Sequence, residues 1–98
     1  MKRKAPKVLE RHVRLKLQTL LKVKGWFVYY NLQTMGSYVG LSDLTIVKDG
    51  VVVWLEIKKP GGKQSPKQII FQKNIEAAGG NYFVADDWAP LEKYLACL

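Results

Sequence analysis

Residues 43–58 read DLTIVKDGVVVWLEIK, and this stretch decides the fold. Two runs rich in β-branched residues, 43–48 and 51–58, are separated by Asp49-Gly50, a residue pair typical of two-residue hairpin turns. A turn of this kind fixes the register, because the residues on either side of it must face each other. The stretch therefore predicts two neighbouring antiparallel strands in known register.

The predicted register brings two acidic residues face to face. Asp43 lies opposite Glu56, with side-chain roots about 4.5–5.5 Å apart. Carboxylates at this distance repel each other, and such a pair needs a compensating cation, for which oxygen ligands favour Mg²⁺ or Mn²⁺. Lys58 follows on the same face of the strand, where it can orient a water or stabilise charge on a phosphate. The alternative is an exposed cross-strand charge cluster without a catalytic role.

The rest of the chain completes an α/β pattern of order α-β-β-β-α-β-α. We expect one domain over residues 1–98, with a basic tail at 1–6, in which a mixed β-sheet is flanked by helices. The last strand follows a helix, so we expect it to pair parallel to an earlier strand through a right-handed crossover. The further predicted elements are a helix over Lys7–Lys24, a strand over Trp26–Leu32, a loop over Gln33–Gly40, a helix from Ser65 to about Ala78, a strand over Asn81–Ala85 and a helix over Trp88–Leu98.

Two polar residues on the predicted helices are candidates for the acidic site. Glu10 lies within the apolar arc of the first helix and is expected to face the sheet, although an ion pair with Arg14 one turn later is the alternative. Gln68 stands three residues after Ser65, and this spacing predicts a capping box that would explain the glutamine without any catalysis. The residues alone leave both alternatives open.

Charge is distributed very unevenly along the chain. The sequence holds 16 lysines and arginines against 8 acids, which gives a net charge of +8. Residues 1–24 contain nine basic side chains and one acid, whereas residues 25–98 contain seven of each. A basic segment of this kind is typical of proteins that bind a polyanion, most often nucleic acid.

Residue counts exclude several classes of protein. A single cysteine, Cys97, rules out a disulfide framework and a CxxC zinc site, and a single histidine, His12, rules out a multi-histidine metal centre. No run is long enough to cross a membrane, and no apolar stretch of a signal peptide follows the basic N-terminus. We therefore expect a cytoplasmic protein without membrane partners.

Five sequence features in order resemble the virus-type replication–repair nuclease (VRR-NUC) domain, a branch of the PD-(D/E)xK nuclease superfamily. The resemblance extends from Glu10 to about Ala85, and Ser42 departs from it where the family more often has proline. The features are Glu10, GLSDL at residues 40–44, WLEIK at 54–58, QSPKQ at 64–68 and AGGNYFVA at 78–85.

The resemblance implies a small restriction-endonuclease-like fold and Mg²⁺- or Mn²⁺-dependent hydrolysis of phosphodiester bonds. Asp43 and Glu56 look like metal ligands, together with the backbone carbonyl of Ile57. Lys58 looks like the catalytic lysine, Glu10 like the acid of the first helix and a further candidate ligand, and Gln68 like the active-site glutamine. Stand-alone viral members of the family resemble homodimeric junction-cutting nucleases. We therefore expect a phage-encoded homodimer, in the host cytoplasm, that cuts branched DNA such as four-way junctions.

Three other functions are compatible with the same sequence. The chain could bind nucleic acid without cutting it, bind an acidic protein, or cut flaps or single strands. In the expected nuclease, basic side chains in the tail, the first helix and the loop around the acidic site contact DNA phosphates; the alternative for the loop lysines is simple solvation. These side chains are Lys2, Arg3, Lys4, Lys7, Arg11, Arg14, Lys59, Lys63 and Lys67.

Overall fold

The computed structural model describes residues 8–98, which form seven elements in the predicted order. The tail at 1–6 and Lys7 lie outside the described residues. The elements are α1 (Glu10–Val23), β1 (Phe27–Tyr30), β2 (Leu44–Lys48), β3 (Val51–Ile57), α2 (Pro66–Ala77), β4 (Asn81–Ala85) and α3 (Trp88–Ala96).

The predicted ends of several elements are wrong by one to three residues. The first helix begins at Glu10 and not at Lys7, because Leu9 precedes it in an extended conformation with φ −96° and ψ 148°. The predicted strand Trp26–Leu32 shrinks to the four residues of β1, because only these pair with β2. The strand propensity of the aromatic residues predicts that a strand lies here, but its ends depend on which residues can pair with β2.

The hairpin between β2 and β3 confirms the predicted register. Lys48 pairs with Val51, and the ladder continues in step to Leu44 opposite Leu55. Asp49 and Gly50 both have positive φ, 51° and 80°, as a two-residue turn that matches the twist of the strands requires.

The sheet has the order β1-β2-β3-β4, and β4 runs parallel to β3 as predicted. Phe83 of β4 stacks on Tyr94 of α3, whereas its neighbour Tyr82 contacts Phe71 of α2. Because consecutive strand residues point to opposite faces, α2 and α3 cover opposite faces of the sheet. The helix α1 packs beside α3.

The main core lies between the sheet and the layer formed by α1 and α3. Three buried leucine and valine positions of α1, one turn apart, meet the apolar face of the hairpin, as the helical pattern predicts. Among residues 8–98, no helix is long and apolar enough to cross a membrane. The core residues are Val13, Leu17, Leu21, Leu44, Ile46, Val53, Leu55, Ile57, Ala85 and Leu91.

Candidate active site

The acidic pair sits where the β2–β3 ladder ends. If the ladder continued beyond Leu44, the N–H of Ile57 would bond the carbonyl of Ser42. Instead, the N–H of Ile57 donates to Oδ2 of Asp43 at 2.7 Å. Asp43 therefore lies just before β2 and not within it, and its carboxylate is held against the end of β3 by a backbone donor.

Asn31 and Gln33 fix the chain in front of Asp43. The carbonyl of Ser42 accepts hydrogen bonds from Asn31 Nδ2 at 3.1 Å and from Gln33 Nε2 at 3.3 Å. The N–H of Asn31 also donates to the carbonyl of Asp43 at 2.8 Å. Ser42 itself is fully buried, so packing and hydrogen bonds together hold the residue that precedes Asp43.

Glu56 is a buried carboxylate near the end of β3. Its side chain is about 1% exposed, and its Oε1 accepts a hydrogen bond from Gln68 Nε2 at 2.9 Å. Its Oε2 is buried and has no hydrogen-bond partner among residues 8–98. Burying an ionised carboxylate oxygen without a hydrogen-bond donor costs free energy. A bound proton or a bound cation would remove this cost.

The electrostatic surroundings of Glu56 agree with that requirement. Burial, followed by the neighbouring carboxylate of Asp43, raises the pKa of Glu56 to about 9, against a smaller opposing effect of Lys58. At neutral pH the folded protein without a bound cation therefore holds a proton on Glu56. A divalent cation at the acidic pair would displace this proton.

Lys58 lies between two carboxylates. Its Nζ is 3.6 Å from Oε1 of Glu10 and 3.8 Å from Oε1 of Glu56, and its side chain is only 15% exposed. Glu10 therefore faces the site, as its place in the helix predicts, although its side chain is half exposed. Arg14, the alternative partner of Glu10, lies instead over the ring of Tyr30, with Cζ 5.0 Å from the ring centroid.

Gln68 performs both of the roles that the sequence left open. Its Oε1 accepts from the N–H of Ser65 at 2.8 Å, and its own N–H donates to the Ser65 hydroxyl at 3.2 Å, which completes the predicted capping box of α2. Its Nε2 is left free to bind Glu56. The start of α2 is thus tied directly to the acidic pair.

Sequence reasoning missed a polar network behind Glu56. Gln64 Nε2 donates to Gln72 Oε1 at 3.0 Å and lies 3.3 Å from the hydroxyl of Tyr82. Burial, together with the charge of Glu56, raises the pKa of Tyr82. Strand alternation could have placed Tyr82 on the face of Glu56, because Tyr82 pairs with Trp54 and Glu56 lies two residues further along β3.

The oxygen atoms of Asp43 and Glu56 fit a divalent cation for which carboxylates supply only some of the ligands. The described residues contain no group of three or more His, Cys, Asp and Glu side chains arranged around one metal position. The pair of Asp43 and Glu56 nevertheless offers hard oxygen atoms, one of them buried without a donor. Glu10 makes its contact with Lys58, so this geometry favours it as the partner of the lysine over its predicted role as a ligand.

The predicted DNA contacts are described only in part. Lys2, Arg3, Lys4 and Lys7 lie outside residues 8–98. Arg11, Lys59, Lys63 and Lys67 are exposed, and Arg14 is partly buried beside Tyr30. In the sequence, Lys59 follows Lys58 and Lys67 precedes Gln68, and neither exposed lysine forms an ion pair with a carboxylate of the acidic site among residues 8–98.

A comparison with solved structures identifies the fold. A structure named VRR_NUC domain matches this chain with a TM-score of 0.76 and 24% sequence identity, over 89% of this chain and 94% of that one. Neither the family models nor the curated proteins give a match. The four-stranded mixed sheet with its flanking helices, which the sequence predicted, is therefore the fold of a VRR_NUC domain.

Proposed function

We propose that this protein is a metal-dependent DNA endonuclease that hydrolyses phosphodiester bonds. The single observation that supports this function best is the buried Oε2 of Glu56, which has no donor among residues 8–98 and lies in a site shared with Asp43 and Lys58. A purely structural ion-pair cluster has no reason to keep such an oxygen buried.

Each polar residue of the site has a role in this proposal. Asp43, Glu56 and the carbonyl of Ile57 would hold Mg²⁺ or Mn²⁺, which when bound supplies Lewis-acid activation of a water and of the phosphate. Lys58, held by Glu10, neutralises charge that develops on the phosphate or orients the water. Gln68 fixes the orientation of the Glu56 carboxylate.

Affinity for DNA in this proposal comes mainly from phosphate contacts. The basic groups of the tail, of α1 and of the loop before α2 recognise the backbone without reading sequence. The protein would therefore bind many DNA sequences, and its selectivity would depend on DNA shape.

We further propose that the protein is a phage-encoded homodimer of the host cytoplasm that prefers branched DNA, including four-way junctions. A two-fold dimer would present two acidic sites to a junction of matching approximate symmetry. The aromatic edge strand β1 exposes Phe27, Tyr29 and Tyr30, which supplies apolar surface for a second copy. Light scattering at micromolar concentration should give twice the chain mass, and a monomer would contradict this assembly.

Cleavage assays distinguish the nuclease from the alternatives. Linear duplexes, single strands, flaps and four-way junctions should be tested with Mg²⁺, with Mn²⁺ and with EDTA. The proposal predicts cleavage with either metal, none with EDTA, and fastest cutting of a branched substrate. Tight, salt-sensitive binding without cutting would indicate a non-cleaving nucleic-acid-binding module, and the absence of DNA binding would favour an acidic protein partner.

A further inference from the structure

A cavity of about 500 Å³ lies between the loop that follows β1 and the helix α2. Its size falls within the range of pockets that bind small ligands, about 300–1,000 Å³. None of the six lining residues is acidic, and one of them is a lysine. The lining residues are Gly36, Ser37, Tyr38, Val39, Lys67 and Ile70.

The loop that forms one wall of the cavity is held in place at several points. The N–H and the hydroxyl of Ser37 both donate to the carbonyl of Thr34, at 3.0 and 2.6 Å, and Gln33 Nε2 donates to the carbonyl of Leu41 at 2.7 Å. Gly40 has φ +83°, and a Cβ there would lie 2.3 Å from the carbonyl oxygen of Lys67. Glycine at this position therefore lets the loop pack directly against the first turn of α2.

Tyr38 presents its ring to the cavity in a fixed orientation. Its ring centroid is 5.7 Å from that of Phe71, and its hydroxyl lies 3.4 Å from Asn74 Nδ2. The side chain nevertheless remains 60% exposed. An aromatic ring that is supported on one side and open on the other is the usual platform for stacking a nucleic-acid base.

Each wall of the cavity belongs to a chain segment that leads directly to the acidic site. On the helix side, Lys67 immediately precedes Gln68, whose amide binds Glu56. On the loop side, Gly40 follows the lining residue Val39, precedes Asp43 by three residues and packs on the start of α2, where a Cβ would lie 2.3 Å from the Lys67 carbonyl oxygen and 3.0 Å from the Gln68 nitrogen. A DNA strand whose phosphate lies at the acidic pair would therefore bring a neighbouring nucleotide to the cavity.

We propose that this cavity binds one unpaired base of the DNA strand next to the scissile phosphate. The base stacks on Tyr38 between the apolar side chains of Val39 and Ile70, and Lys67 contacts the phosphate of the same nucleotide. This inference rests on the proposed nuclease function and specifies its substrate. A base in a duplex is already stacked and paired, so the cavity favours strands with an unpaired nucleotide at a branch, flap or gap.

Fluorescence of 2-aminopurine tests the cavity separately from cleavage. The Glu56→Gln protein, which retains the cavity, is titrated with flap DNAs that carry 2-aminopurine at successive unpaired positions beside the branch. One position should be quenched on binding, because stacking on Tyr38 quenches the base. The added substitution Tyr38→Ala should abolish this quenching, whereas Tyr38→Phe, which keeps the ring and loses the hydroxyl, should preserve it. Equal quenching in all three proteins, or none at any position, would overturn the proposal.

Two neighbouring isoleucines of α2 provide a matched pair for the cleavage assay. Ile70 lines the cavity and Ile69 does not, although both are partly exposed. In the protein with an intact acidic site, Tyr38→Ala should slow flap cleavage about 5- to 100-fold, and Ile70→Ala should slow it less. Ile69→Ala should cut at the normal rate. Equal rates in all variants would contradict base binding in the cavity but not the nuclease function. A native protein that cuts no DNA would instead contradict the nuclease function itself.

A second copy of the chain is the competing occupant of this surface. If it occupied the cavity, Tyr38→Ala would lower the mass measured by light scattering and would leave the 2-aminopurine signal unchanged. That result would contradict base binding. The proposal predicts an unchanged mass.

Discussion

The side-chain amide of Gln68 joins the first turn of α2 to the buried carboxylate of Glu56 through a 2.9 Å hydrogen bond. The same amide accepts from the N–H of Ser65 through its oxygen, so its orientation is fixed from both ends. One glutamine therefore caps a helix and orients a candidate metal ligand. The capping box and the contact to Glu56 coincide at this position because each uses a different atom of the same amide.

Substitutions at Ser65 and Gln68 should separate the two roles. Ser65→Ala removes the hydroxyl that caps α2 and should lower the free energy of unfolding by about 1 kcal/mol. It should leave cleavage near the native rate, because Gln68 keeps its contact with Glu56. Gln68→Ala should lose similar stability and most of the cleavage as well. The checks are denaturant unfolding and initial cleavage rates; equal rates for the two variants would contradict a separate role of Gln68.

The raised pKa of Glu56 predicts how the stability of the metal-free protein varies with pH. Glu56 titrates near pH 9 when folded and near its ordinary value of 4.5 when unfolded, so between these values the folded state binds the extra proton. Stability should therefore fall as pH rises from about 5 to about 9. Glu56→Gln should flatten this dependence and stabilise the protein by about 1–3 kcal/mol at pH 8.

Denaturant unfolding with EDTA across this pH range measures the effect. Thr45→Val is a suitable control, since it changes a buried polar residue on the neighbouring strand without changing charge. Its pH dependence should follow that of the native protein. A Glu56→Gln protein with the native pH dependence would show that Glu56 is not protonated in the folded state.

In the proposed nuclease, cleavage and DNA affinity should depend on different residues. Lys58→Met should lose most of the cleavage and retain DNA binding, because one lysine is a small part of a phosphate footprint. Deleting residues 1–4, which include Lys2, Arg3 and Lys4, should weaken binding and flatten its salt dependence by up to about 0.9 per lost phosphate contact. Binding titrations at several salt concentrations test this division; equal loss of affinity in both variants would count against it.

The sequence predicted what depends on neighbours along the chain. The turn at Asp49-Gly50 determined the hairpin register, and the spacing of Ser65 and Gln68 determined the start of α2. Helical periodicity brought Glu10 to the acidic site. In each case the prediction depends on residues that are close together in the sequence.

What the sequence did not predict depends on contacts between distant segments. The N–H of Ile57 bonds the carboxylate of Asp43 in place of the Ser42 carbonyl, and that carbonyl instead accepts from Asn31 and Gln33 of the preceding loop. The contact of Gln64 with Tyr82 joins a loop to β4, and no periodicity indicates it. Such contacts follow from how the helices pack on the sheet, which single-sequence patterns do not determine.

Metal-dependent cleavage at the acidic pair is tested by the rate at which the native protein, Asp43→Asn and Glu56→Gln cut junctions or flaps, each measured with Mg²⁺, with Mn²⁺ and with EDTA. Each substitution keeps the shape of the side chain and removes a carboxylate that would hold the cation in the proposed site. A metal site at Asp43 and Glu56 predicts metal-dependent cleavage by the native protein and none by either variant, while both remain folded and bind the DNA. Cleavage at the native rate by a folded Asp43→Asn or Glu56→Gln protein would contradict it.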